Sequence, residues 1–253
     1  MSAFDPASVR ALVFDVFGTV VDWRSSIIRE GEAMSRQTSL PADWPGVADA
    51  WRADYAPAME RTRAADGGAA AVVGAAAAWP NLDQLHRQTL DELLPRFGLQ
   101  SLGEAERAHL THAWHRLQPW PDAVKGLQRL RRHRVVATLS NGNVSLLVDL
   151  ARHAGLGWDC VLSAELFQRY KPDPAVYLGA ARLLGLAPAR VLMVAAHPGD
   201  LRAARACGLR TAYVPRPLEH GPAGVAEPVR EHEFDLVASD FIDLAERLPP
   251  GPF

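Results

Sequence analysis

The strongest constraint on what this chain can fold into is the rhythm of its short apolar runs. Ala11–Val16, Val135–Leu139, Cys160–Ser163, Val191–Ala195, Thr211–Val214 and Leu236–Ala238 are each strand-length and contain β-branched residues. From the second run onward they alternate with helix-patterned stretches over 122–132, 144–155, 174–185, 199–207 and 240–248. Such alternation predicts an α/β fold, a Rossmann-like parallel sheet with helices on both faces. Sheets of this kind bind ligands beyond the carboxyl ends of their strands. The residues just after each run are therefore the first place to look for a site.

Between the first and second runs the pattern changes. No good strand is evident from about Val21 to Gln118, and the periodicity is helical over 25–37, 46–65, 81–97 and 103–117. That predicts an all-helical cap subdomain over 21–118, inserted after the first strand, with the core domain built from 1–20 and 119–253. Ala64–Ala78 is a low-complexity Ala/Gly stretch that fits either a loop or an Ala-rich packed helix. The Pro/Gly-rich tail, Pro249–Phe253, is expected to fray.

Composition excludes several classes. The 27 basic residues nearly balance 29 acidic ones, and no basic stripe favours nucleic acid or an anionic membrane. No apolar stretch reaches the ~18 residues of a membrane span, and no signal-peptide pattern opens the chain. Cys160 and Cys207 make neither a disulfide framework nor a metal cluster, and the histidines show no zinc-ligand spacing. A soluble, reducing, cytoplasmic setting is the default expectation. Only two basic residues are lysines, Lys125 and Lys171, which draws attention to each.

The strand ends carry a coincidence. Asp15 and Thr19 follow the first run, Ser140 and Asn141 the second, Lys171 lies beyond the third, and His197 and Asp200 follow the fourth. Each alone has an ordinary explanation: a turn residue, a solvated loop charge, an acid favoured in a helix's first turn. A parallel sheet gathers all of them at one end, a set with nucleophile, base, ammonium and hydrogen-bond donors.

The segments Phe14-Asp15-Val16-Phe17-Gly18-Thr19, Leu139-Ser140-Asn141-Gly142, Lys171-Pro172 and Asp200 together resemble the four motifs of the haloacid dehalogenase (HAD) superfamily. Val21-Asp22-Trp23-Arg24, Trp51-Arg52, Ser140-Asn141-Gly142-Asn143 and the stretch Tyr170–Tyr177 further resemble the type II 2-haloacid dehalogenases. The resemblance spans nearly the whole chain, and the helical insertion falls where that superfamily carries one type of cap.

Most members of the superfamily transfer phosphoryl groups, and their chemistry asks for parts that differ here. A carboxylate approaching a phosphate needs a cation to neutralise charge, and a leaving alkoxide needs an acid. The superfamily places that acid two residues after the nucleophile, where this chain has Phe17. A paired metal-binding acid usually stands four places before the last Asp, where this chain has Ala196. Halide departs as a weak base and needs neither part. The resemblance therefore implies metal-independent, cofactor-free hydrolysis of short 2-haloalkanoic acids to 2-hydroxy acids. Asp15, ionised at neutral pH as a carboxylate of ordinary pKa ~3.9, would attack Cα to form an ester.

The roles implied are as follows. Thr19, Ser140 and Lys171 hold Asp15 or the substrate carboxylate. Arg52, from the cap, and Asn141 receive the halide, and Phe17 and Tyr177 line the substrate site. Water attacks the ester on Asp15, with Asp200 orienting or activating it. The type II enzymes tend to show Ser-Ser-Asn where this chain has Ala195-Ala196-His197. His197 is expected to assist Asp200 as a base or, as a cation, to bind the leaving ion, and fluoroacetate enters the expected substrate range. A homodimer is what the family suggests. The competing readings are a magnesium-dependent phosphatase and a non-catalytic binding protein of the same fold.

Overall fold

A computed structural model of the chain describes residues 4–65 and 79–250. The Ala/Gly stretch lies outside the described residues from 66 to 78, as does the tail from 251 onward. In chain order the elements are β1 (Ala11–Phe14), β2 (Val21–Asp22), α1 (Trp23–Thr38), α2 (Trp44–Ala53), α3 (Tyr55–Ala65), α4 (Leu82–Leu93) and α5 (Glu104–Thr111). There follow β3 (Gln118–Pro119), α6 (Ala123–Leu130), β4 (Val135–Thr138), α7 (Val144–Ala154) and α8 (Pro174–Leu183). The chain closes with β5 (Val191–Ala195), α9 (Pro198–Ala206), β6 (Arg210–Tyr213), β7 (Leu236–Val237) and α10 (Phe241–Arg247). No helix among the described residues is long and apolar enough to cross a membrane.

Five parallel strands form one sheet in the order β4-β1-β5-β6-β7. Every residue of β1 and β5 is buried, as strands covered on both faces require. Register brings the strand ends level: Phe14 pairs with Thr138 on one side and Val194 on the other, and Ala195 pairs with Tyr213. The residues that follow these pairs emerge at one edge of the sheet.

Sequence pattern and structure part at three places. The run Cys160–Ser163 forms only isolated bridges, Ala137 with Cys160 and Ser140 with Ser163. The Thr138 hydroxyl intercepts the ladder there, donating to the Leu162 carbonyl at 2.8 Å and accepting its N–H at 2.9 Å. The single helix expected over 46–65 is two, α2 and α3, broken at Asp54. Arg61 and Thr89 hold that carboxylate with hydrogen bonds of 2.8 Å, so the break is anchored from α3 and α4. Lastly β2 and β3, two residues each, pair antiparallel where no strand was expected; they are too short to leave a periodic signal.

The chain divides into two compact units, Met1–Trp23 with Leu117–Phe253, and Arg24–Arg116. In the second unit the core is aromatic. Trp51 and Trp114 meet edge to face at 5.5 Å, and the Trp51 indole donates to the His86 carbonyl at 3.0 Å. Asn81 and Gln84 form a capping box that starts α4.

Candidate active site

β1 delivers its carboxylate by ending. The Asp15 N–H donates to the Val194 carbonyl at 3.0 Å, after which the chain turns away from the sheet. Gly18 takes that turn with a φ of +81°, a left-handed conformation that suits glycine. The turn returns Thr19 onto Asp15: its hydroxyl donates to Asp15 Oδ2 at 2.7 Å and accepts the Ala196 N–H at 2.9 Å. Two strand ends are thereby tied through one fully buried hydroxyl.

Lys171 completes the cluster. Asn141 fixes its backbone, accepting the Lys171 N–H on Oδ1 at 2.8 Å. The ammonium lies 2.9 Å from Asp15 Oδ1 and 2.5 Å from Asp200 Oδ2. Asp200 sits in the first turn of α9, and its other oxygen accepts the Tyr177 hydroxyl at 2.5 Å. His197 precedes that helix. Its Nδ1 is 3.0 Å from Asp15 Oδ2, and its Nε2 is 3.1 and 3.0 Å from the two oxygens of Glu219.

The charges in this cluster set one another. Burial alone would raise the Asp15 carboxyl, but the Lys171 ammonium and the His197 ring outweigh it and hold the acid well below the usual carboxylate range. Burial alone would also lower Lys171, yet Asp15 and Asp200 keep it charged beyond the ordinary lysine value. Asp200 moves the other way. Burial pushes it up, the Asp15 charge adds to that, and Lys171 only partly opposes them. Burial and the neighbouring Asp200 push the Tyr177 phenol far up, so it stays a donor. Burial would depress His197, but its hydrogen bonds with Asp15 and Glu219 hold it up to about 10.

Of the sequence candidates, Asp15, Thr19, Lys171, Tyr177, His197 and Asp200 are joined in this one network. Asn141 is one step removed, bonded to the Lys171 backbone. Beside that oxygen, the Asn141 side chain carries two N–H donors. Ser140 makes no hydrogen bond to Asp15 among the described residues; its Oγ accepts the Gly142 N–H at 3.1 Å. Phe17 is buried, and its ring lies so near Gly142 that a Cβ there would stand 3.2 Å from Cε2. Arg52 belongs to the helical unit, its guanidinium 4.3 Å above the Tyr55 ring.

Two participants were not anticipated. Glu219 is a buried acid in the loop after β6, and Trp23 donates its indole N–H to Glu219 Oε1 at 3.0 Å. The strand-end rule had already marked the run Thr211–Val214, but the next polar groups stand two and five residues beyond it, behind prolines. Arg216 from the same loop braces the site, donating to the Thr19 carbonyl at 2.9 Å while forking onto Asp122 at 2.7 and 2.8 Å.

The donor set suits a hard divalent cation poorly. Such ions want several oxygen ligands, whereas Phe17 and Ala196 bring none and the Lys171 ammonium lies between Asp15 and Asp200. The arrangement instead offers a buried carboxylate kept ionised, with a second carboxylate of raised basicity beside it.

Comparison with known proteins points the same way. A family model described as haloacid dehalogenase-like hydrolase matches residues 9–208. The solved structure of an L-2-haloacid dehalogenase is 49% identical, covers 95% of this chain and 98% of its own, and superposes with a TM-score of 0.87. A defluorinating L-2-haloacid dehalogenase of known structure is 42% identical, covers 98% of this chain and 99% of its own, and has a TM-score of 0.86. The (S)-2-haloacid dehalogenase of Xanthobacter autotrophicus is 30% identical over 82% of this chain and 76% of its own.

Proposed function

The chain belongs to the haloacid dehalogenase-like hydrolases, and from that premise we propose that it removes halide from short L-2-haloalkanoic acids through an ester on Asp15. The observation that carries the proposal is the state of Asp15 itself. It is ionised by Lys171 and His197 and has a phenylalanine where phosphoryl transfer would want an acid.

In the first step an Asp15 oxygen gives its electron pair to Cα, and the carbon–halogen bond breaks with its pair going to halide. Displacement from the face opposite the halogen inverts Cα. Arg52 and the Asn141 amide are the proposed halide donors, and the Ser140 hydroxyl is a proposed donor to the substrate carboxylate. In the second step water attacks Cγ of Asp15 and gives a proton to Asp200. Burial raises the basicity of Asp200, which favours it as the general base. Collapse breaks the bond from Cγ to the substrate oxygen. The departing alkoxide takes the proton from Asp200, and Asp15 sheds the remaining proton to solvent. Tyr177 and Lys171 keep Asp200 oriented throughout.

Fluoroacetate falls within the proposed range, supported by the likeness to a relative described as defluorinating. The test is incubation with L-2-chloropropionate, chloroacetate and fluoroacetate in the presence of a chelator, with halide release followed in H₂¹⁸O. The expected result is halide from the chloroacids and ¹⁸O in the Asp15 peptide after several turnovers. Halide release with an unlabelled Asp15 would exclude the ester. Magnesium-dependent phosphate release from an aryl phosphate, with no halide, would overturn the proposal as a whole. Absence of fluoride would remove fluoroacetate alone.

A further inference from the structure

His197 stands between two carboxylates from different loops, Asp15 after β1 and Glu219 after β6, and each ring nitrogen faces one of them at 3.0 Å. Between two ionised carboxylates, which only accept hydrogen bonds, both ring nitrogens carry hydrogen, and such a ring is an imidazolium. Glu219 is held for this task. It is 5% exposed, Trp23 donates to Oε1 at 3.0 Å, and its backbone N–H is bonded to the Arg216 carbonyl at 3.0 Å. Room for it exists only because residue 18 is glycine: a Cβ there would lie 2.1 Å from Glu219 Oε1.

The other charged groups around the ring point elsewhere. Lys171 takes Asp15 Oδ1 and Asp200, Tyr177 takes the far oxygen of Asp200, Arg216 is forked onto Asp122, and His220 meets the Trp23 ring edge to face at 5.9 Å. The two oxygens of Asp15 are therefore unequal. Oδ2 accepts from Thr19 and His197, whereas Oδ1 accepts from Lys171 alone among the described residues.

We infer that Glu219 is a positioning residue that keeps His197 an imidazolium donating to Asp15 Oδ2, so that Oδ1 attacks carbon and Oδ2 becomes the oxyanion when water attacks the ester. The inference rests on the dehalogenation proposed above and assigns His197 a role in its second step. Both ring nitrogens are already protonated, so His197 is not the base. It is also bonded to the nucleophile's own carboxylate, on the side of Cα opposite a halide displaced in line. A donor already aimed at the developing charge is what oxyanion stabilisation requires. Glu219 matters most once the ester exists, because alkylated Asp15 is neutral and, among the described residues, Glu219 is then the carboxylate still hydrogen-bonded to His197.

The test separates the two steps in Glu219→Gln, a substitution of nearly the same shape. With L-2-chloropropionate, the variant is expected to release one halide per chain at close to the wild-type rate. At pH 8 the ester then accumulates, visible as a mass adduct on Asp15. Its hydrolysis is slowed about tenfold or more, because an imidazole near its ordinary pKa of ~6.5 is mostly neutral there. At pH 6 hydrolysis recovers, while in His197→Gln the ester persists at both pH values. Wild-type hydrolysis stays flat from pH 6 to 9. A Glu219→Gln variant whose hydrolysis is flat with pH, or whose halide burst slows without adduct, overturns the inference.

A ¹⁵N titration of His197 in the resting wild-type enzyme tests the inference apart from the substrate and from any folding defect of the variant. Persistence of the imidazolium to about pH 9 supports it, and titration near neutrality overturns it. Failure of the wild type to release any halide would count against the proposed function and leave the titration to decide whether His197 is an imidazolium.

Discussion

His86 and His197 are both largely enclosed, one in each unit, and their protonation is driven in opposite directions. His86 lies among rings, stacked on Trp114 at 4.1 Å with Trp51 edge-on at 6.0 Å. Among the described residues neither of its nitrogens has a hydrogen-bond partner, and burial drives its pKa down to about 3. His197 also loses water, yet two carboxylates hold it up to about 10. Burial opposes charge in both cases. What differs is whether the surroundings return a hydrogen bond and a counter-charge for the water removed. An enclosed histidine is thus no sign of chemistry by itself; its neighbours decide.

The comparison can be broken or sharpened by substitution. The largest effect is expected at the carboxylate His197 serves. Asp15→Asn should cut halide release about 10⁴-fold or more, with the fold retained by circular dichroism, because it removes the carboxylate that forms the ester. Next comes Lys171→Met, which leaves Asp15 and Asp200 facing each other without their shared cation. Denaturant titration at pH 7 should show a loss of about 3–5 kcal/mol, as for other broken buried pairs. An unchanged midpoint would mean the cation is not needed to hold the pair.

The two histidines should then give opposite pH slopes. The folded protein keeps a proton on His197 that the unfolded chain releases above pH ~6.5. That contribution is complete below ~6.5 and is lost as pH rises toward about 10, by about 1.4 kcal/mol per pH unit. His86 behaves in reverse: the unfolded chain takes up a proton that the folded core excludes, so stability falls as pH drops from ~6.5 toward about 3. Thermal melts from pH 4 to 10 should lose the alkaline decline in His197→Phe, together with ~10²-fold or more of ester hydrolysis. The smallest effect is His86→Phe, within ~1 kcal/mol of wild type at pH 7 because the nitrogens it deletes make no bonds. Its acid decline should be shallower than the wild type's. An equal decline would move the source of that slope away from His86.

Much of this was legible in order along the chain. Apolar runs announced β1, β4, β5 and β6, because strands covered on both faces are largely apolar, and strand ends then pointed to Asp15, Lys171 and Asp200. Cys160–Ser163 looked like a strand because β-propensity is local, whereas the Thr138 hydroxyl that takes both backbone groups of Leu162 belongs to another segment. Asp54 divided α2 from α3 for the same reason: the groups that reward the break, Arg61 and Thr89, are 7 and 35 residues away. Glu219 carried no motif at all.

The sequence by itself determined the sheet's rhythm, the aromatic at position 17 and the ionisable groups available at the strand ends, because backbone periodicity and side-chain chemistry are written residue by residue. Only the tertiary structure decided which of those groups share protons. It put a glycine where Glu219 could enter, Trp23 and His197 where they could hold that acid, and Lys171 between two carboxylates. Hydrogen bonds and charge interactions act over a few ångströms in space, and for Glu219 and Trp23 the two partners stand 196 residues apart in the chain.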